Sequence, residues 1–316
     1  MPVNEPDKPV VTKELHPTGR FAPSPTGPLH LGSLVAAVGS WLFARSVGGT
    51  WLVRMEDLDP PRVVRGSADS ILRSLERFGL TWDGDLVFQS ERTALYEAAL
   101  LQLRDLERIY DCACSRADLR RAASAPSMNP ADMEMAVYPG TCRDGIPAGL
   151  TPRALRFQVS DERISFTDMV HGLVEEDLAW QCGDFVVRRA DGLFAYQLAV
   201  VVDDAEQGVT QVVRGEDLLS STARQIALQH ALGYPTPAYA HLPLLVDGKG
   251  GKLGKRTGAL AVDSGTTDEI RTTLAVVLRM LGCGDLEVES PEAMLSQALA
   301  NFTPAQIPRG NIEVPD

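Results

Sequence analysis

The chain has 316 residues, 44% of them hydrophobic, and a formal net charge of −12. That is enough apolar material for two or three structural units with their own cores. The acidic balance argues against broad, non-specific nucleic-acid binding but leaves room for a local site, because Arg116, Arg120 and Arg121, the pair Arg188-Arg189 and residues 249–256 form basic clusters.

No apolar run approaches the ~18 residues of a membrane span, and residues 1–8 lack the basic-then-apolar pattern of a signal peptide. A monomeric, cytoplasmic protein with no membrane partner is the expectation. The five cysteines are an odd number, and two stand in a Cys-x-Cys pair, which suits a reducing compartment and a metal better than disulfides.

Along the chain, residues 1–18 carry four prolines and no periodicity and read as a mobile tail. From residue 19 the texture is α/β, with a strand at 19–22, an apolar helix at 34–47 and a buried strand at 51–56 that ends in charge. Residues 67–78 place Ile71, Leu72, Leu75 and Phe78 at helical spacing, and 92–109 read as a further helix with Leu95, Leu100, Leu103 and Leu106 on its apolar side. Residues 19–109 form the first half of the expected α/β domain.

Residues 110–190 read as an insertion. They hold the cysteine pair, a breaker-rich stretch at 123–131 that is a candidate disordered loop, and strands at 155–159 and 185–188. The second half of the α/β domain spans 191–258, where the unbroken apolar run Leu198-Ala199-Val200-Val201-Val202 predicts a central strand. Residues 259–316 form a helical C-terminal region, with helices at 267–281 and 291–302.

Two short segments carry the chemistry. In Pro23-Ser24-Pro25-Thr26-Gly27-Pro28-Leu29-His30-Leu31-Gly32, a strand runs through a Pro- and Gly-rich turn into a helix. The free N–H groups of such a helix start favour an anion, and Gly27 and Gly32 let a nucleotide lie against the backbone. His30 then stands where negative charge develops on a phosphate. Far downstream, residues 246–256 form a glycine-rich loop with four cations, Lys249, Lys252, Lys255 and Arg256. Nucleotidyl transfer needs positive charge where pyrophosphate leaves, and mobile lysines suit that role.

A metal site is a third candidate. Cys112-Ala113-Cys114 and Cys142 offer three thiolates, enough for a tetrahedral zinc whose fourth ligand the spacing leaves open. Cys182 and Cys283 have no partner in spacing.

The first two segments resemble the two ATP signatures of class I aminoacyl-tRNA synthetases, His-Ile-Gly-His and Lys-Met-Ser-Lys-Ser, with departures at Gly254, where serine is common, and at Arg256. The blocks Arg20-Phe21-Ala22-Pro23-Ser24-Pro25-Thr26-Gly27, Val53-Arg54-Met55-Glu56-Asp57-Leu58-Asp59, Phe194-Ala195-Tyr196-Gln197-Leu198-Ala199-Val200-Val201-Val202-Asp203-Asp204 and Val213-Arg214-Gly215-Glu216-Asp217-Leu218 resemble the glutamyl branch.

The resemblance spans about residues 19–256 and implies a Rossmann-like parallel sheet in a catalytic domain. It further implies an amino-acid pocket lined by Arg20, Ser24, Glu56, Tyr196 and Arg214. His30, Gly32, Lys252 and Lys255 would bind ATP, with Mg²⁺ on its phosphates, and His30, Lys252 and Lys255 would be catalytic. Glutamate fits these residue types on chemical grounds as well. Its two carboxylates call for arginines, here Arg20 and Arg214, and its ammonium for an anion, here Glu56. Which arginine meets which carboxylate stays open.

About sixty residues follow Arg256, which is expected to leave no room for the anticodon-binding part of a full glutamyl-tRNA synthetase. With Tyr138, four residues before Cys142, the chain resembles the glutamyl-queuosine tRNA(Asp) synthetases. That resemblance supplies Tyr138 as the fourth ligand of one structural zinc. It implies ATP-dependent activation of glutamate without tRNA, then transfer of the glutamyl group to the queuosine base of tRNA(Asp). The alternatives are a truncated glutamyl-tRNA synthetase charging a 3′ end, and a non-catalytic paralogue that binds glutamate or tRNA.

Overall fold

The computed structural model describes residues 16–115, 117–118, 137–248, 251, 262 and 265–314. The tail up to residue 15, the stretch at 123–131, Arg116, Arg120 and Arg121, and Lys249, Lys252, Gly254, Lys255 and Arg256 lie outside them.

The first strand, β1 (Thr18–Phe21), feeds helix α1 (Leu31–Arg45), and β2 (Thr50–Met55) returns parallel to β1. His16 and Pro17, read with the tail, are bonded to this unit: His16 Nδ1 lies 3.0 Å from the Val47 carbonyl, and the Pro17 carbonyl accepts from Thr50 N–H at 2.9 Å. Next come α2 (Ser67–Arg77), the short β3 (Val87–Phe88) and α3 (Thr93–Asp105).

Helix α3 is shorter than its leucine spacing suggests. Glu107, with φ 53°, ends it in a left-handed turn, where Glu107 N–H donates to Arg104 and Arg108 N–H to Leu103. Ile109 then opens β4 (Ile109–Cys112).

After β4 come β5 (Ala154–Phe157), the hairpin β6 (Arg163–Asp168) and β7 (Gly172–Asp177), the single turn α4 (Leu178–Gln181) and β8 (Phe185–Arg188). The region read as one insertion therefore divides. Strands β4, β5 and β8 make a three-stranded antiparallel sheet, whereas β6 and β7 join the main sheet.

The run expected as a central strand, Leu198 to Val202, lies instead in helix α5 (Tyr196–Glu206). Its five residues are all at most 2% exposed, because the helix is covered on one side by the sheet and on others by neighbouring helices. Burial all round erases the helical period and leaves an apolar run that reads equally as a strand. Its end is well marked. Gly208, at φ 65°, donates to Ala205 and Val209 donates to Asp204, a paired terminal bonding pattern that glycine makes easy.

The chain continues through β9 (Gln211–Gly215), α6 (Thr222–Leu232), β10 (Ala238–Leu242) and β11 (Leu245–Val246) to α7 (Thr267–Met280), α8 (Pro291–Asn301) and β12 (Ile312–Glu313). The last two helices stand where the sequence places them. A capping box between Thr266 and Glu269 starts α7, and Ser290 with Pro291 starts α8.

The main sheet has the order β3-β2-β1-β9-β10-β6-β7, parallel except at β6 and β7. Successive side chains serve opposite faces: Trp51 and Val213 enter a core with α1, α2, α7 and α8, while Leu52 and Val212 meet the core of α3, α5 and α6. Chain order reverses between β1 and β9, and the carboxyl ends of strands beside such a switch point are where ligands bind in doubly wound sheets. Among the described residues no helix is long and apolar enough to cross a membrane.

Candidate active site

At that edge lies a cleft of about 660 Å³, within the range of small-molecule sites. Arg20, Ser24, His30, Gly32, Glu56, Tyr196 and Arg214 all line it, although they come from four separate stretches of chain.

The turn after β1 is held by its neighbours. Glu56 N–H donates to the Pro23 carbonyl and Val64 N–H to that of Pro25, both at 2.9 Å. Gly27, at φ 136°, lies against Ser67, whose hydroxyl donates to its carbonyl at 2.6 Å and accepts its N–H at 3.0 Å. A side chain at residue 27 would disfavour that conformation.

His30 caps α1. Its Nδ1 accepts the Ser33 N–H at 3.2 Å, so Nε2 carries the proton and meets Ser33 Oγ at 2.9 Å. Gly39 lets this helix sit close on β10, since a Cβ there would come within 2.5 Å of Leu242 Cδ1. The N-terminal end of α1, free of acidic residues in its first turn, therefore faces the cleft as an anion-ready surface.

The two predicted arginines differ in their surroundings. Arg20 is 3% exposed and pairs through Nε with Asp204 Oδ1 at 3.1 Å. Beside it lies Arg54, fully buried, which pairs with Asp204 at 2.8 Å, with Asp203 at 3.7 Å and with Glu56 at 3.5 Å, and donates to Gln207 at 2.7 Å. Asp203 also accepts from Gln89 at 2.7 Å, Tyr96 at 2.8 Å and Arg92 at 2.6 Å. Burial pushes the Glu56 carboxyl above the usual glutamate range, against the opposing pull of Arg54 and Arg20. The same carboxylates hold the Arg54 guanidinium charged in spite of its burial.

Arg214, 5% exposed, has neutral partners throughout. It donates through Nε to His241 Nε2 at 3.1 Å, through Nη1 to Gln225 at 2.8 Å and Tyr196 OH at 3.3 Å, and through Nη2 to Thr222 at 2.9 Å and the Leu218 carbonyl at 3.3 Å. Among the described residues no carboxylate lies within ion-pair distance of it. Its positive charge is therefore not cancelled by direct contact with a described carboxylate.

Arg54, Asp203 and Asp204 lie within the blocks that resemble the glutamyl branch without being singled out as site residues, and Asp168 and His241 did not emerge from the sequence at all. The signal for His241 is weak: one polar residue inside the apolar stretch from Tyr239 to Leu245.

The segment that holds Lys252 and Lys255 is not described, but the chain on each side of it is tied to the cleft. Leu245 lines the cleft, and Val262 N–H donates to the Leu29 carbonyl at 3.1 Å.

At the far end of β4 the three cysteines converge. The Sγ atoms of Cys112, Cys114 and Cys142 lie within 4.8 Å of one another, with Cys114 to Cys142 at 3.7 Å. The Tyr138 hydroxyl is 3.5 Å from Cys112 Sγ and 3.7 Å from Cys114 Sγ, and accepts the Cys142 N–H at 2.9 Å. A tetrahedral zinc with the usual bond lengths has S···S edges of about 3.8 Å and S···O edges of about 3.6 Å. The donor set therefore fits one. Arg156 supports it, donating to Cys112 Sγ at 3.3 Å with its guanidinium 3.8 Å over the Tyr138 ring.

The fold and cleft are those of a class I tRNA synthetase. Residues 18–300 match the family of class I (E and Q) tRNA synthetase catalytic domains. The chain is 55% identical to the glutamyl-Q tRNA(Asp) synthetase of Geobacter sulfurreducens, over 92% of this chain and 93% of that protein. It is 53% identical to that of Thiobacillus denitrificans, over 92% and 94%. Among solved structures it is similar to a glutamate tRNA ligase from Elizabethkingia meningosepticum in complex with its amino acid, with 26% identity, a TM-score of 0.78, and coverage of 94% of this chain and 67% of the other. The chain belongs to the class I tRNA synthetases of the E and Q type and, within them, to the glutamyl-Q tRNA(Asp) synthetases.

Proposed function

We propose that this chain activates glutamate with ATP in the absence of tRNA and transfers the glutamyl group to the queuosine base of tRNA(Asp). The observation that carries this reading is the single cleft that joins an anion-ready helix start to the buried Arg214, in a chain 55% identical to a glutamyl-Q tRNA(Asp) synthetase.

In the first step a glutamate carboxylate oxygen attacks the α-phosphorus of ATP and pyrophosphate leaves. Arg20 and Arg214 hold the two carboxylates, Glu56 takes the ammonium, and Ser24 and Tyr196 complete the pocket. His30 and the backbone at Gly32 stabilise charge on the α-phosphate. Lys252 and Lys255 neutralise the departing pyrophosphate; the anchoring of Leu245 and Val262 at the cleft supports that placement. Mg²⁺ accompanies the phosphates. In the second step a hydroxyl of the modified base attacks the acyl carbon, its proton is lost and AMP leaves.

Cys112, Cys114, Cys142 and Tyr138 hold one structural zinc that orders the antiparallel sheet, away from the chemistry. Elemental analysis of the purified chain is expected to give one zinc per molecule. The thiols and the tRNA substrate suit the reducing cytoplasm.

The test is incubation with labelled glutamate, ATP and tRNA(Asp) with or without queuosine, beside glutamate-dependent ATP–pyrophosphate exchange without tRNA. Exchange without tRNA, and label that maps to the anticodon loop only when queuosine is present, are expected. Label at the 3′ end would favour a glutamyl-tRNA synthetase, and no exchange a binding protein.

A further inference from the structure

Behind Arg214, on the side away from the cleft, stand two buried groups that the reaction above does not use. His241, on β10, is 0% exposed, and Asp168, the last residue of β6, is 1% exposed. His241 Nδ1 lies 2.6 Å from Asp168 Oδ2, and His241 Nε2 lies 3.1 Å from Arg214 Nε. A guanidinium nitrogen only donates and a carboxylate only accepts, so the ring has one consistent state: protonated on Nδ1, with a lone pair on Nε2. Thr222 Oγ1, 3.2 Å from Nε2, meets the same lone pair.

We propose that Asp168 and His241 are positioning residues for Arg214: the carboxylate fixes the imidazole tautomer, and the imidazole fixes the guanidinium for a substrate carboxylate. The inference rests on the reading of the cleft as a glutamate pocket and adds to it the device that aims its receptor. With Nε engaged by His241, an incoming carboxylate has only the end-on pair of Nη1 and Nη2 for bidentate contact. Their 3.3 Å contacts to Tyr196 and Leu218 are the longest that Arg214 makes, and so the easiest to exchange. The opposite tautomer would set an N–H against the Arg214 Nε–H and turn the guanidinium away. The Asp168 charge lies one ring from Arg214, where it offsets the buried cation without occupying its outer face.

The other charged or titratable groups facing His241 do not disturb this state. His171, in the turn after β6, bonds the His241 carbonyl through Nε2 at 3.1 Å, and Tyr239 stacks on the ring at 6.2 Å. Burial and Arg214 keep the imidazole neutral against the pull of Asp168. Asp168 also has a structural duty, since its Oδ1 accepts the N–H groups of Val170 at 2.9 Å and His171 at 3.0 Å.

Asp168→Asn separates the two duties. The amide oxygen keeps the turn, while the amide nitrogen faces Nδ1 and forces the wrong tautomer, as happens when the equivalent carboxylate of a Ser-His-Asp triad is amidated. Ring ¹⁵N NMR of histidine-labelled protein is expected to show the His241 proton moving from Nδ1 to Nε2. In glutamate-dependent ATP–pyrophosphate exchange, the KM for glutamate is expected to rise about 10- to 100-fold while the KM for ATP and the unfolding midpoint stay near wild type. In a His241→Gln background, whose amide needs no tautomer, Asp168→Asn should cost less than about twofold.

Arg214→Ala, measured alongside, separates failures. If it leaves the glutamate KM unchanged, the pocket reading fails. If it raises that KM while Asp168→Asn does not, or if Asp168→Asn leaves the tautomer in place or raises both KM values together, the positioning role is overturned.

Discussion

Arg20 and Arg214 stand on the same cleft in opposite electrostatic settings. The Arg20 side is a lattice of full charges: Arg20, Arg54 and Arg92 against Asp203, Asp204 and Glu56, with ion pairs from 2.6 to 3.7 Å. The Arg214 side holds its guanidinium with an imidazole, two hydroxyls, an amide and a backbone carbonyl. Charges that cancel one another make a rigid floor, and pulling one out leaves a buried partner exposed to its own desolvation cost. A cation held by neutral groups keeps its attraction for an incoming anion. The two arginines therefore enter the proposed pocket differently: the Arg20 charge is already shared with Asp204, whereas no described carboxylate pairs directly with Arg214.

The largest effect expected from this contrast is on stability. Arg54→Ala removes the cation shared by Asp204, Asp203 and Glu56 and should destabilise the fold by about 3–5 kcal/mol, read from denaturant unfolding. A loss within the ordinary range of a surface ion pair would mean that the lattice is not structural.

Next, the two receptors should separate. Arg214→Ala is expected to lower kcat/KM for glutamate in exchange by roughly 10²-fold, about 3 kcal/mol, with most of the damage in binding. Arg20→Ala should lower it less and lose more stability, because it takes one of the two cations from Asp204. Equal losses in both assays for both variants would erase the distinction.

The smallest effect is a pH dependence. Burial raises the Glu56 carboxyl above its ordinary value of 4.5, so the folded state favours the protonated form. The resulting stability is fully present below the unfolded value and is lost as pH rises through the folded one. Glu56→Gln should therefore gain on the wild type as pH rises from 4.5 into that range, in paired unfolding curves. Over the same window wild-type affinity for glutamate should strengthen as the Glu56 carboxylate forms, and the Gln variant should show only the shallower change from ionisation of the substrate's own side-chain carboxyl. A parallel pH response in both proteins would place the titration elsewhere.

Much of this molecule is readable along the chain because its signals are local. Thr266 with Glu269, and Ser290 with Pro291, announce the last two helices by rules that act within one turn. The turn from Pro23 to His30 carries its own glycine and proline conformations, and the spacing of Cys112, Cys114 and Cys142 announces a thiol cluster whose chemistry is compatible with a metal. The run Leu198 to Val202 shows where local signals stop, since an apolar run buried on every side has no periodicity from which to read helix or strand.

The sequence by itself determined the residue types of the cleft, the strand–turn–helix that opens it and the α/β class, because each depends on backbone preferences and chemistry within a few residues. Only the tertiary structure decided how they are charged. Asp168 and His241 are 73 positions apart and meet because β6 pairs with β10 at Tyr239 and Asp168. Arg20 meets Asp204 across 184 positions because α5 packs beside the start of the sheet. Sheet register and helix packing set those distances, and in a low-dielectric interior distance determines whether an arginine is already neutralised or still able to bind an anion.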